Sequence, residues 1–173
     1  IDAEKLTTAE FYGIALRDLA SEHDNVVALT ADLAKSTKIA AFAKEYPERL
    51  INVGIAEQNM FGIAAGMAKN GFVPFTSKFF SSFANFTSTF SIFACARSLD
   101  QVHTDICYQN VPVKILASHA GTSFGQAGST HHAIIDLAVA RSLPHMTVMC
   151  PCDGAEAYKL VLASYDIPGP VYI

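Results

Sequence analysis

Residues 50–69 change their period in the middle, and that change constrains the fold more than any other feature of the chain. Leu50, Ile51 and Val53 form a short apolar run that reads as a buried strand, and Gly54 interrupts it. From residue 56 to 69 small and apolar side chains then recur at helical spacing. A strand that hands over to a helix within three residues is the repeating unit of a parallel sheet.

The same alternation runs along all 173 residues. A capping box at residues 7–10 predicts a helix over 8–22. A strand over 26–29 follows, then a polar exit and a helix near 38–45 closed by Pro47. Beyond the anchor unit we expect strands over 72–76, 112–117, 146–149 and 171–173, with helices near 134–142 and 153–164. Six strands alternating with helices predict a parallel sheet covered on both faces, a three-layer α/β sandwich. No internal boundary interrupts the pattern, so residues 1–173 read as one domain. Ile1 is not Met, and the chain stops inside the apolar run Val171-Tyr172-Ile173, which reads as a piece of a longer polypeptide.

Charge narrows the choice of partners. With 12 basic and 16 acidic residues the formal charge is −4, and no Lys/Arg cluster occurs, which argues against nucleic acid. No apolar run reaches the length of a membrane span and no signal sequence opens the chain, so a cytoplasmic address is expected. Only 16% of residues are charged while 51% are hydrophobic, a deficit that predicts surface destined for a partner. The four cysteines, Cys95, Cys107, Cys150 and Cys152, sit among apolar neighbours and read as buried thiols in a reducing compartment.

Three stretches carry candidate chemistry. Glu57 falls in the first turn of the anchor helix, just past a strand's carboxyl end, where open α/β sheets bind ligands. A first-turn acid is often no more than a dipole partner. Here Ile55, Ala56, Met60 and Phe61 crowd it, and a poorly solvated carboxyl is suited to sharing a proton with a ligand nitrogen. Further on, Phe79, Phe83, Phe86, Phe90 and Phe93 are spaced by four, three, four and three, which predicts one helical face. Most of such a stripe is expected in the core, with one or two rings free to stack on a flat heterocycle. Lastly, residues 118–132 hold three glycines and three histidines on the same rim, suited to close backbone approach and to titration near neutral pH.

Val53-Gly54-Ile55-Ala56-Glu57-Gln58-Asn59 resembles the V-G-I-A-E-Q-N/H signature of the transketolase family, in the module that holds the aminopyrimidine of thiamine diphosphate. The resemblance covers nearly the whole chain and implies the thiamine diphosphate-binding fold. It also implies that Glu57 hydrogen-bonds the ring nitrogen and activates the cofactor, and that Asp32 lies near the thiazolium. In that family a short S-T-F-x-x-F segment packs on the pyrimidine. Ser88-Thr89-Phe90-Ser91-Ile92-Phe93 matches it, whereas Phe79 and Phe83 stand nearer the usual distance from Glu57. By distance Phe79 and Phe83 come first as ring contacts and Phe90 second. The extra length, about eleven residues, equals about three helical turns and would preserve a helix face.

The histidine loop resembles the family's T-H-x-x-x-x-G-E-D-G-P-T-H, which implies that His119 and His131 line the substrate channel and handle hydroxyl protons. Ser36 matches a contact on the substrate-phosphate side. Gln126 and Ala127 replace the family's acidic pair, Ser129 replaces its proline, and Ala9 stands where relatives carry a phosphate-binding arginine. The G-D-G that holds Mg²⁺ and the diphosphate is missing from the sequence, so both would sit on a partner module, on another chain or segment. Gly62, Ala65 and Gly66 leave one side of the anchor helix bare, and the resemblance implies a dimer interface there. The implied activity is transfer of a two-carbon ketol unit between sugar phosphates. A 1-deoxyxylulose-5-phosphate synthase-like enzyme, or a non-catalytic module that kept the fold, is the alternative.

Overall fold

A computed structural model describes residues 6–70 and 84–173. The chain runs α1 (Thr8–Glu22), β1 (Val26–Thr30), α2 (Ala40–Glu45), β2 (Leu50–Asn52), α3 (Glu57–Asn70), β3 (Ala84–Phe90), α4 (Leu99–Gln101), β4 (Val113–Ser118), α5 (Asp136–Ser142), β5 (Thr147–Val148), α6 (Gly154–Ser164) and β6 (Val171–Tyr172). Two π-helical stretches, Phe93–Arg97 and Val102–Cys107, flank α4, so a helical segment joins β3 to β4. The six strands form one sheet in the order β2-β1-β3-β4-β6-β5, parallel throughout.

The side-chain period of two splits the sheet between two apolar layers. Val27 and Leu29 of β1 and Val113 and Ile115 of β4 pack with Met60, Phe61 and Ala64 of α3 and with Val102 and Ile106. Val26 and Ala28 of β1, Phe86 of β3 and Leu116 of β4 pack on the opposite face with Leu16 and Leu19 of α1, Phe42 of α2 and Val161 of α6. Helices therefore cover both faces, as the alternating pattern predicts. α1 is started by the predicted capping box, in which the Thr7 hydroxyl accepts from the Glu10 backbone and Glu10 accepts from Thr7 N–H at 2.8 Å. Gly13 lets α1 press on the exit of β1, since a Cβ there would lie 2.1 Å from the Lys38 carbonyl oxygen.

Four expectations need correction or limits. Residues 84–90, expected on a helical face, form the β3 strand between β1 and β4. A spacing of four satisfies both a helical turn and two strand repeats, so Phe86 and Phe90 do not discriminate. What decides is that Asn85, Thr87, Ser88 and Thr89 are also fully buried, as in a central strand and not in an amphipathic helix. The expected strand at 72–76 lies outside the described residues. β2 is only half buried, because it is an edge strand paired to β1 alone. Cys95 and Cys107 are buried as expected, but Cys150 and Cys152 are exposed where the β5 exit turns into α6.

Candidate functional site

The connection from β1 leads to β2 on one side, and the connection from β3 leads to β4 on the other. The crevice at the carboxyl ends of β1 and β3 is therefore the switch point at which such sheets bind ligands. Four segments meet around this rim: the β1 exit with Asp32, the β2–α3 turn with Glu57, the β3 end with Phe90, and the loop after β4 with His119 and His131.

Glu57 opens α3, and its side chain is only 2% exposed; Met60 and Phe61 of the same helix are buried as expected, whereas Ile55, expected to crowd the acid, is 79% exposed. Its Oε2 accepts from Arg97 Nη1 at 3.0 Å. The same guanidinium stacks on Phe93, with Cζ 4.1 Å from the ring centroid. Arg97 thus joins the buried acid to a set of five rings. Phe90 and Phe93 lie 5.5 Å apart between centroids, Phe90 and His119 4.7 Å, Phe93 and His131 5.4 Å, and Phe124 packs 4.5 Å from His119 and 5.6 Å from His131. Most of these pairs are tilted or edge-on, the arrangement favoured by aromatic quadrupoles.

The histidines are held by a loop that closes on itself. Gly121 and Ala133 exchange two backbone hydrogen bonds, each of 2.9 Å. Within it Gly121, Gly125 and Gly128 take φ of 64°, 43° and 78°, the left-handed region that explains why this loop is glycine-bearing. His119 itself adopts φ 59°, and its Nδ1 pairs with the Ser118 hydroxyl at 2.9 Å. Burial, with a further contribution from the nearby Lys38 cation, pulls the His119 imidazole below its ordinary value, which favours the neutral ring that can accept a proton. Beside His119 opens a mainly apolar cavity of about 560 Å³ walled by Tyr12, Ile134, Leu137, Cys150 and Tyr172.

Asp32 adopts φ 61° at the β1 exit and is clasped by Asn52, whose Oδ1 accepts from the Asp32 N–H and whose Nδ2 donates to Asp32 Oδ1. The same Asn52 Oδ1 accepts from Gly54 N–H at 3.0 Å, so one amide ties the β1 exit to the turn that presents Glu57. Ser36 is exposed in the turn after β1 and takes part in none of these contacts.

The structure therefore brings Phe90, His119 and His131 into one cluster, links Glu57 to it through Arg97, and sets Asp32 beside Asn52. Phe79 and Phe83 lie outside the described residues. Sequence reasoning missed Arg97, Asn52, Phe93 as the cation's platform, and Phe124. Arg97 follows Phe93 by four residues, a spacing that puts both on one side of a helical turn; the other three carried no signal of their own.

A family model described as "Transketolase, pyrimidine binding domain" matches residues 4–173. The chain is 39% identical over 162 residues to the "Putative transketolase C-terminal section" of Methanocaldococcus jannaschii, covering 94% of this chain and 48% of that protein. It is 40% identical over 160 residues to "1-deoxy-D-xylulose-5-phosphate synthase 1" of Geobacter sulfurreducens, covering 92% of this chain and 23% of that one. A solved structure described as "Split gene transketolase, inactive beta4 tetramer" superposes with a TM-score of 0.80 at 43% identity, over 97% of this chain and 50% of the other. The chain spans about half the length, or less, of these relatives.

Proposed function

Because the chain belongs to the transketolase family through its pyrimidine-binding domain, we propose that it supplies the pyrimidine side of a thiamine diphosphate site in an enzyme that transfers a two-carbon ketol unit between sugar phosphates. The observation that carries this reading is the Glu57 carboxylate, 2% exposed and linked through Arg97 to an aromatic wall. A buried acid beside flat apolar rings suits a neutral heterocycle bearing a ring nitrogen, and it would repel a diphosphate. The fit is thus to one end of the cofactor. Its other end, with Mg²⁺, belongs to a partner module on another chain or segment. When bound, the cofactor supplies the carbanion chemistry, and the protein contributes placement and electrostatics.

Each residue then has a defined task. Glu57 fixes the aminopyrimidine nitrogen and holds a proton there. Phe90 presses against the ring face, with Phe93 behind it, in preference to the earlier copies at Phe79 and Phe83. Asp32, pinned by Asn52, borders the site next to the thiazolium. His119, whose neutral form is favoured by partial burial, accepts a hydroxyl proton from the donor and returns it to the acceptor's oxygen, with His131 facing the same hydroxyls. Ser36 lies on the side from which the substrate phosphate would enter.

The site is completed by a second subunit, most simply in a homodimer. Ile55, two residues before Glu57, is 79% exposed, and a Cβ added at Gly62 would meet nothing within 4 Å among the described residues, whereas Ala65, expected on the same bare side, is buried in the core. Room at Gly62 next to an exposed apolar side chain suits close approach by another chain. The exposed thiols of Cys150 and Cys152 suit a reducing cytoplasm.

A second reading, a 1-deoxyxylulose-5-phosphate synthase-like enzyme, is favoured by the 40% identity to a relative of that name. The test is the assembled enzyme with Glu57→Gln. Turnover falls by about 10² or more on our reading, in line with loss of a general acid–base group. Unchanged turnover would reduce the chain to a non-catalytic module. Product analysis, for a transferred ketol unit or for 1-deoxyxylulose 5-phosphate, separates the two enzymes.

A further inference from the structure

The ion pair between Glu57 and Arg97 is one-sided. Burial has removed water from the acid, 2% exposed, and not from the base, 49% exposed. A carboxylate so placed requires a partner, whereas a half-solvated guanidinium can leave with little penalty, because water replaces what it loses. Arg97 also has somewhere to go. Asp100, exposed and three residues further along the same helical segment, lines with Arg97 and His103 a surface depression of about 550 Å³. Phe93 provides a flat surface over which the guanidinium can turn.

We propose that Arg97 is a displaceable counter-ion, which occupies in the ligand-free chain the Glu57 oxygen that an aminopyrimidine nitrogen takes on binding, and which then turns out towards Asp100. The proposal rests on the reading of Glu57 as the ring's hydrogen-bond partner. It adds that the acid is never left unpaired in a buried site, and that the cofactor must compete with a side chain of the protein itself. A competitor of this kind lowers apparent affinity by the fraction of molecules in which it has already left. Arg97 acts through Glu57 and is a positioning residue, so its effect belongs in the binding equilibrium.

Calorimetric titration of thiamine diphosphate with Mg²⁺ into the assembled protein tests this with wild type, Arg97→Met, Glu57→Gln and the double variant. Removing the competitor should tighten binding by about fivefold or more, the lower range of a site-to-site coupling. Glu57→Gln should weaken binding, and Arg97→Met should change nothing further in that background. Arg97→Lys, which keeps the charge and loses the flat stack, should fall between wild type and Arg97→Met. Asp100→Asn should weaken binding by removing the landing carboxylate. Weaker or unchanged binding in Arg97→Met, with Glu57→Gln still weakened, overturns the counter-ion proposal and leaves the role of Glu57 intact. Unchanged binding in Glu57→Gln, or no binding by any form, overturns both.

Discussion

The side-chain amide of Asn52 faces Asp32 twice, accepting its backbone N–H at 3.0 Å and donating to its Oδ1 at 3.2 Å, across 20 residues of chain. The pair holds Asp32 in a left-handed conformation at the rim of the sheet. Because Asn52 also accepts from Gly54, it sets the position of the turn that leads to Glu57. Asn52→Ala should lower stability by only about 1 kcal/mol, as these are exposed hydrogen bonds. Its effect on turnover should be larger than that figure alone suggests, through misplacement of Asp32 and the β2–α3 turn. Urea unfolding set beside steady-state kinetics of the assembled enzyme measures both.

Ring contact with the cofactor is expected from Phe90. It is 5% exposed and touches Phe93, His119, Phe124 and His131, so a shape-changing substitution there alters the whole wall. Phe90→Leu keeps most of the buried volume and should cost less than the 3–5 kcal/mol typical of Phe→Ala. It should nevertheless weaken binding of thiamine diphosphate by about tenfold, since stacking is worth about 0.5–1.5 kcal/mol beyond area. The same substitution at Phe79 should leave the affinity within about twofold of wild type. The reverse ranking in a calorimetric titration would return the ring to the earlier copy.

Lys114 makes stability depend on pH. It is fully buried, and its ammonium donates to the carbonyl oxygens of Ile167 and Gly169, bracing the turn before β6. Burial pulls it down to about 8 from 10.5. Between those two values the unfolded chain binds more protons than the folded one, so stability contributed by this group rises with pH across that window. Below pH 8 the charged form must be carried in the fold, and the gain is lost. The difference in unfolding free energy between wild type and Lys114→Met should therefore increase from pH 7.5 to pH 9.5 in urea titrations. A flat difference would show that the ammonium is not desolvated.

A buried network ties the histidine loop to the end of β3. Asp136 accepts from Ser91 Oγ at 2.7 Å, and the Tyr172 hydroxyl shares its single proton between the Ser91 oxygen and the Asp136 carboxylate, 3.2 Å away. Desolvation drives the Tyr172 phenol far up, so it stays protonated and donates. Asp136→Ala leaves the buried Ser91 and Tyr172 hydroxyls with one proton short of an acceptor and should cost about 2–3 kcal/mol in unfolding experiments. Ser91 follows Phe90 directly, so near-ultraviolet aromatic signals should change in the folded variant. A loss below about 1 kcal/mol would mean the cluster takes up water instead.

How far the sequence reveals the fold depends on whether each segment's pattern has one explanation. α1 is legible because Thr7 and Glu10 form a local capping box that needs nothing else from the chain. The parallel sheet is legible because both faces of β1 are apolar, and only helices on both sides can bury them. β3 is not legible, because Phe86 and Phe90 fit two periods and the buried Thr87, Ser88 and Thr89 look like a polar helix face until their neighbours are known. For the site, Glu57 is visible from its place at a strand-to-helix turn, and His119 and His131 from a glycine-bearing loop on the same rim. Arg97 lies 40 residues from Glu57, and Asn52 20 from Asp32. Pairings at that range are made by sheet order, which local spacing does not encode.

Glu57 meets, on the proposed function, the nitrogen of a heterocycle whose charged end is held elsewhere. The most direct measurement is a crystal structure of the assembled protein with thiamine diphosphate and Mg²⁺. The aminopyrimidine nitrogen should lie within hydrogen-bond distance of the Glu57 carboxyl, the ring face against Phe90, and the diphosphate on residues of the partner module. A ring bound away from Glu57, with the Glu57–Arg97 pair still closed beside it, would contradict the proposed function.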